Sequence, residues 1–178
     1  METNPEQELI ARAKRGEVEA FEDLLRPTIT TAHRYATAFL HDPDVAEDAV
    51  QEACMRAWRK LNHLQAGRPF KPWFLGIVNR QCRDQIRGRW WRMIRLPQSE
   101  QLSVELPEDT ALRRAALREA LGELTERERQ VLILRIYLEL PWSDVASIAG
   151  LTEAGARTRY YRALERLRFT RAPKEVAT

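Results

Sequence analysis

The sequence predicts an all-α protein, two small helical domains joined by an extended linker. Three observations carry this. Glycine is scarce, with 7 residues among 178, and charged residues interrupt every apolar run within a few positions. Apolar residues recur at helical spacing in two separate blocks. Between Met93 and Asp109 that spacing lapses, and Pro97, Gln98, Ser99, Ser103 and Pro107 mark a linker. The chain thus divides into residues 1–92, a linker over 93–109, and residues 110–178.

In the first block, Leu9, Ile10 and Ala13 define a short helix, and Phe21, Leu24 and Leu25 begin a longer one beyond Gly16. Asp42 is a good N-cap, Pro43 suits the first helical position, and Asp44 and Glu47 complement the helix dipole. The helix so started runs to about Leu61, with Val45, Ala49, Val50, Ala53, Ala57 and Trp58 on its apolar side. Residues 62–72 hold Gly67, Pro69 and Pro72 and read as a loop. A further helix is predicted from Trp73 to about Trp91. Leu75, Val78, Cys82 and Ile86 form its buried stripe, while Arg80, Arg83 and Arg87 project from another side.

Helical spacing resumes over Leu112–Leu121. Thr125-Glu126-Arg127-Glu128 is a capping box that opens a helix through Val131, Leu132, Leu134 and Leu138. Pro141 breaks it, a short helix follows from Trp142 to Ala149, and Gly150-Leu151 is a turn. Thr152 caps a last helix to about Phe169.

Several function classes are excluded. No stretch approaches the ~20 consecutive apolar residues of a membrane span. Glu2, Glu6 and Glu8 make the start unlike a signal peptide, so a cytoplasmic location is expected. Cys54 and Cys82 lie too far apart for a CxxC motif and read as small core hydrophobes. His33, His41 and His63 show no zinc spacing, and no catalytic cluster, phosphate loop or nucleophile elbow is evident. No metal, cofactor or enzymatic activity is therefore expected.

The net charge is +3, but it is unevenly spread. Acidic residues crowd the N-terminal part and positions 42–52. Arginines cluster at 80, 83, 87, 89, 92 and 95, then at 157, 159, 162, 166, 168 and 171. Two basic patches on a helical chain predict two nucleic-acid contacts. The paired helices around Gly150 outline a helix-turn-helix, whose second helix enters the major groove. Ala156, Tyr160, Ala163, Leu164 and Leu167 would face inward there. Arg157, Thr158, Tyr161 and Arg162 would point outward, where base edges and phosphates are reached.

Residues 46–58, AEDAVQEACMRAW, resemble the region-two signature of extracytoplasmic-function sigma factors of the sigma-70 family. Residues 69–78, PFKPWFLGIV, resemble the segment that follows it. Residues 124–168, LTERERQVLILRIYLELPWSDVASIAGLTEAGARTRYYRALERLR, are similar to the family's region four. The three matches lie in the family order.

The resemblance implies a sigma factor that binds core RNA polymerase and directs initiation, with promoter melting, through −10 and −35 elements. It assigns Asp48, Gln51 and Glu52 to the polymerase's largest-subunit clamp helices, with the flap as a further contact on the polymerase. The 62–72 loop, with Asn62, Arg68 and Phe70, would capture a flipped −10 base. The helix carrying Trp73, Asn79, Arg80, Arg83 and Arg87 would hold the separated strand. For Phe70, Trp73, Trp90 and Trp91 a core role is the safer reading than a stacking one. Arg157, Thr158, Tyr161 and Arg162 would contact the −35 element, and the 93–109 linker would thread toward the RNA exit path. An anti-sigma factor is an expected further partner.

The chain departs from the family at three places. Asn79-Arg80 stands where Arg-Asn is common, leaving open which of the two reads the −10 element. Pro141 replaces a usual serine, and Ala154 and Gly155 lower helix propensity near the reading end. A stand-alone helix-turn-helix regulator is the alternative, and it would bind a palindromic site without polymerase.

Overall fold

A computed structural model of the chain describes residues 4–93 and 124–171. Among the described residues every regular element is helical: α1 (Pro5–Lys14), α2 (Val18–Leu40), α3 (Pro43–Lys60), α4 (Phe70–Met93), α5 (Glu126–Leu132), α6 (Trp142–Ala149) and α7 (Glu153–Arg171). The expected linker and the helix over 112–121 lie outside the described residues.

Local chemistry sets most boundaries. Gly16 turns the chain at φ 94° between α1 and α2. Asp42 caps α3, its carboxylate accepting from the Val45 N–H at 3.1 Å, with Pro43 as the first helical residue. A 3₁₀ turn, Leu61–His63, ends that segment. α4 begins at Phe70, three residues before the predicted start. Pro72 therefore sits in its first turn, where the missing N–H has no helical acceptor to lose.

In the C-terminal half the Thr125 hydroxyl accepts from the Glu128 N–H at 3.3 Å, and Glu128 accepts from the Thr125 N–H at 2.9 Å. This is the reciprocal capping box. The helix expected to reach Leu138 instead widens into a π turn over Ile133–Tyr137, closed by Leu138 N–H to the Ile133 carbonyl at 3.0 Å. Gly150 ends α6 at φ 67°, a conformation that glycine adopts without steric cost. The Thr152 hydroxyl then accepts from Gly155 N–H at 3.1 Å and starts α7.

One apolar core runs through both halves. Phe21, Tyr35, Phe39, Phe70, Phe74, Val78 and Cys82 fill the N-terminal part, and Val131, Leu134, Val145 and Ile148 continue it. Phe70 stacks on Phe74 at 5.7 Å and meets Phe21 edge-on at 6.0 Å. α4 packs on α2 and α3 on one side and on α6 on the other. The cysteines behave as core residues: Cys82 is fully buried, its thiol pushed up to about 12 by burial, and Cys54 is half-buried. Inside this core the Tyr35 hydroxyl donates to the Asn79 side-chain oxygen at 2.8 Å.

Thr125→Ala should cost about 1 kcal/mol in denaturant unfolding, with Thr125→Ser close to wild type. Glu128 is buried, which alone would raise its carboxyl. The Thr125 hydrogen bonds, with Arg166 and Arg159, nevertheless hold it below the usual carboxylate value of 4.5. A depressed native value means its stabilisation is full above that range and lost as pH falls through the native value. The stability gap between wild type and Glu128→Gln should therefore shrink as pH falls from neutral through the carboxylate range.

Asn79→Ala should destabilise by about 1–3 kcal/mol, because it strands the buried Tyr35 hydroxyl. Arg80→Ala, one residue along but exposed, should stay within about 0.5 kcal/mol of wild type. Urea unfolding of the two variants side by side checks the contrast.

Candidate nucleic-acid and partner interfaces

Three surfaces emerge from this packing. The first is a stripe along α3. Asp48, Gln51, Glu52 and Met55 follow i, i+3, i+4, i+7 spacing and share one face. Asp48 and Gln51 are exposed, and the Gln51 amide donates to Glu47 at 3.3 Å. Glu52 accepts from Arg56 Nε at 2.7 Å, with Arg59 at 3.7 Å. The Arg56 hydrogen bond holds its carboxyl below the usual range. Met55 is 53% exposed, an apolar residue on a charged face. Sequence reasoning missed it, although an apolar residue on the polar side of an amphipathic helix was a readable signal.

The second surface is a groove of about 1230 Å³ between α4, the 62–72 segment and α6. Its lining is rich in cations, with Arg56, Lys60, Arg68, Arg80 and Arg87 beside His63, and α6 contributes Ser143, Asp144 and Ser147. The segment that leads into α4 is shaped by its anchors. Leu61, Leu64 and Phe70 are buried, which leaves Asn62, His63 and residues 65–69 exposed.

The structure distributes the residues expected to capture the −10 base and hold the strand unevenly. Asn62, Arg68, Arg80 and Arg87 are exposed, and Trp73 is half-buried on the groove wall. Phe70 is 1% exposed inside an aromatic cluster, so as folded it does not reach a base. Freeing it would forfeit about 1.5–3 kcal/mol of burial. Asn79 is likewise buried and committed to Tyr35. The apolar stripe explains both, since residues 70, 74, 75, 78, 79 and 82 all fall on α4's core side. Arg83 is half-buried and paired with Glu126 of α5 at 2.9 Å. The side chains of Trp90 and Trp91 lie outside the described residues.

The third surface is the outer face of α7. Ala156 and Ala163 are buried, and Tyr160, Leu164 and Leu167 are partly so, as their spacing predicts. Arg157, Thr158, Tyr161 and Arg162 are all exposed. Arg157 lies over the Trp142 ring at 4.8 Å, a cation–π contact that orients it without masking its donors. Tyr161 is 62% exposed and meets Tyr160 edge-on. Arg166, further along, pairs with Glu128 at 3.4 Å. Burial and the nearby Arg127 and Arg162 lower Arg159, a sign of dense positive charge across α5 and α7.

No metal-binding cluster and no helix long and apolar enough to cross a membrane occurs among the described residues.

Comparison with known proteins agrees with this layout. Residues 20–92 match Sigma-70 region 2, and residues 114–167 match Sigma-70 region 4. The chain is 31% identical to the ECF RNA polymerase sigma factor ShbA of Streptomyces griseus, across 90% of this chain and 92% of that one. It is 27% identical to the RNA polymerase sigma-H factor of Pseudomonas aeruginosa, covering 90% of each. Against the ECF sigma factor BldN of Streptomyces coelicolor it is 29% identical over 90% of this chain and 63% of the relative. The fold resembles CnrH in complex with the cytosolic domain of CnrY, with a TM-score of 0.71 and 23% identity over 94% of this chain and 97% of that one. It also resembles RpoE of Bartonella quintana in complex with the anti-sigma factor NepR, at a TM-score of 0.67 and 24% identity, over 84% of this chain and 94% of that one. With both regions matched in order and a relative shared along nearly its full length, the chain belongs to the extracytoplasmic-function sigma factors of the sigma-70 family.

Proposed function

We propose that this sigma factor divides initiation among the three surfaces. The α3 stripe, with Asp48, Gln51, Glu52 and Met55, docks on the clamp helices of core polymerase. Opposite charge steers the encounter, and Met55 gives the contact an apolar anchor at one end. The 62–72 loop captures an unstacked −10 base, and Arg80, Arg83 and Arg87 follow the phosphates of the melted strand. Arg80, not Asn79, is the polar side chain available at that position. α7 reads the −35 element through Arg157, Thr158, Tyr161 and Arg162. The protein performs no chemistry of its own and acts by binding. An anti-sigma factor is a fitting partner, because the CnrH and RpoE structures that share the fold are complexes with CnrY and the anti-sigma factor NepR.

The observation that carries this reading is the exposed polar face of α7's N-terminal half, set beside the cationic groove on α4. Run-off transcription with core polymerase on a genomic fragment pool tests it directly. Specific nanomolar binding by the free chain at physiological salt would point to a stand-alone regulator instead.

Asp48→Lys should weaken core binding in a pull-down while the circular dichroism spectrum stays normal. Asp48 is a cleaner probe than Glu52, whose reversal would also set a third cation against Arg56 and Arg59.

Alanine at the base-reading arginine, 157 or 162, should cost about 1–3 kcal/mol and relax the −35 preference. Alanine at a phosphate contact should weaken all promoters alike and reduce the salt slope by about one unit. A panel of −35 variants with each mutant holoenzyme separates the two. If neither variant reorders the panel, α7 reads through another face.

A further inference from the structure

The 62–72 loop carries few internal ties, yet helix α1 binds it at four backbone positions. Lys14 Nζ donates to the Leu64 carbonyl at 2.6 Å. Gln7 uses both ends of its amide, accepting from the Gly67 N–H at 3.0 Å and donating to the Arg68 carbonyl at 3.3 Å. The Glu6 carboxylate accepts from the Phe70 N–H at 3.2 Å, the first donor of α4. Gln7 and Lys14 stand seven residues apart, two helical turns, so one face of α1 spans about 10 Å of loop. Ile10 and Ala13 on the neighbouring face are buried, which fixes α1 on the core. α1 also precedes the region 2 match, which begins at residue 20.

From this geometry we infer that α1 is a template for the promoter-reading loop, with Glu6, Gln7 and Lys14 as positioning residues for −10 selectivity. The inference rests on the reading that the 62–72 loop captures the −10 base. Its physical content is preorganisation. A loop that must discriminate one base from three has to hold its backbone in one shape before the base arrives, or spend binding energy on ordering itself. Gly67, at φ 76°, is a conformationally permissive point in the exposed run, and Gln7 grips the peptide on either side of it. Glu6 fixes where α4 begins, and so the angle at which the loop leaves the groove wall. A carboxylate at that helix N-terminus is favoured by the helix dipole as well. The Gln7 contacts are solvent-exposed, so their loss should alter loop geometry far more than global stability.

The test uses full-length protein assembled with core polymerase and a panel of −10 single-base variants in run-off transcription. A −35 panel, core affinity and melting temperature serve as controls. Gln7→Ala and Glu6→Ala should compress the spread between the best and worst −10 variants by about tenfold, leaving the −35 ranking and core affinity as in wild type. Glu6→Gln should retain the −10 ranking, since its side-chain carbonyl still accepts from Phe70 N–H. A rescue of that kind is not expected of a general loss of folding. Asn62→Ala, within the loop itself, reports separately on the underlying reading. If Asn62→Ala compresses the −10 panel and the α1 variants do not, the template role is overturned while the loop keeps its function. If Asn62→Ala also leaves the panel unchanged, the loop is not the reader and both inferences fall.

Discussion

α4 is asked to satisfy two neighbours at once, and the rest of the structure follows from that demand. Its core side, with Phe70, Phe74, Leu75, Val78 and Cys82, is sealed by α2 and α3, while α6 of the other half packs along a different side. Only a strip is left to water, and the strip is cationic. The groove is the space left along α4 between the 62–72 segment and α6. Burial of several aromatic and aliphatic side chains at roughly 1.5–3 kcal/mol each makes this arrangement hard to perturb from the surface. Polar side chains along the strip can therefore vary without endangering the core.

Asn79 shows where that rule stops. A polar residue on the buried side of α4 survives because Tyr35 supplies a donor at 2.8 Å, and burial pushes the Tyr35 phenol well above its usual value and keeps it protonated. The pair sets the rotation of α4 against α2 more narrowly than apolar contacts can, since a hydrogen bond has a direction and dispersion does not. Arg80 is then presented to the groove by the same rotation. The apparent exchange of Asn and Arg relative to the common family pattern thus has a structural side: the amide serves the core and the guanidinium meets the solvent.

Much of this was legible in the sequence, for reasons that differ from element to element. The caps at Asp42, Thr125 and Thr152 were readable because a single side chain satisfies a backbone donor two or three residues away. The inward face of α7 was readable because its period is 3.6 and Ala156 and Ala163 keep it. The start of α4 was not, because Pro72 carries the same φ preference in a loop and in a helix's first turn. The end of α5 was missed because a π turn leaves no mark in residue type over Ile133–Tyr137. Phe70 read more readily as a core residue than as a stacking one, and its place among Phe21 and Phe74 bears that out. The support from Glu6, Gln7 and Lys14 was invisible in principle, as those contacts join residues 50 to 64 positions apart and no local pattern announces them.

The seam between the two halves raises a final physical question, which is how firmly a chain with two reading surfaces should hold itself together. Its polar ties are modest. Arg83 pairs with Glu126 at 2.9 Å, and Arg34 lies 4.8 Å over the Tyr137 ring while donating to its carbonyl at 3.3 Å. A partly exposed ion pair contributes about 0–1 kcal/mol and an exposed cation–π contact about 0.5–1 kcal/mol. The apolar contact of α4 with α6 must supply the remainder. On the reading proposed above, Arg83 also serves the DNA strand, and then the carboxylate of Glu126 occupies the guanidinium that a phosphate would take. Both are oxyanions, and arginine binds either with the same planar fork. Exchanging one for the other leaves Arg83 about equally well satisfied, so the cost of parting the halves falls on the apolar seam, on the Arg34 contacts with Tyr137 and on the Glu126 carboxylate that is left to water. The loss of that seam can be offset only by a partner that buries surface of comparable size.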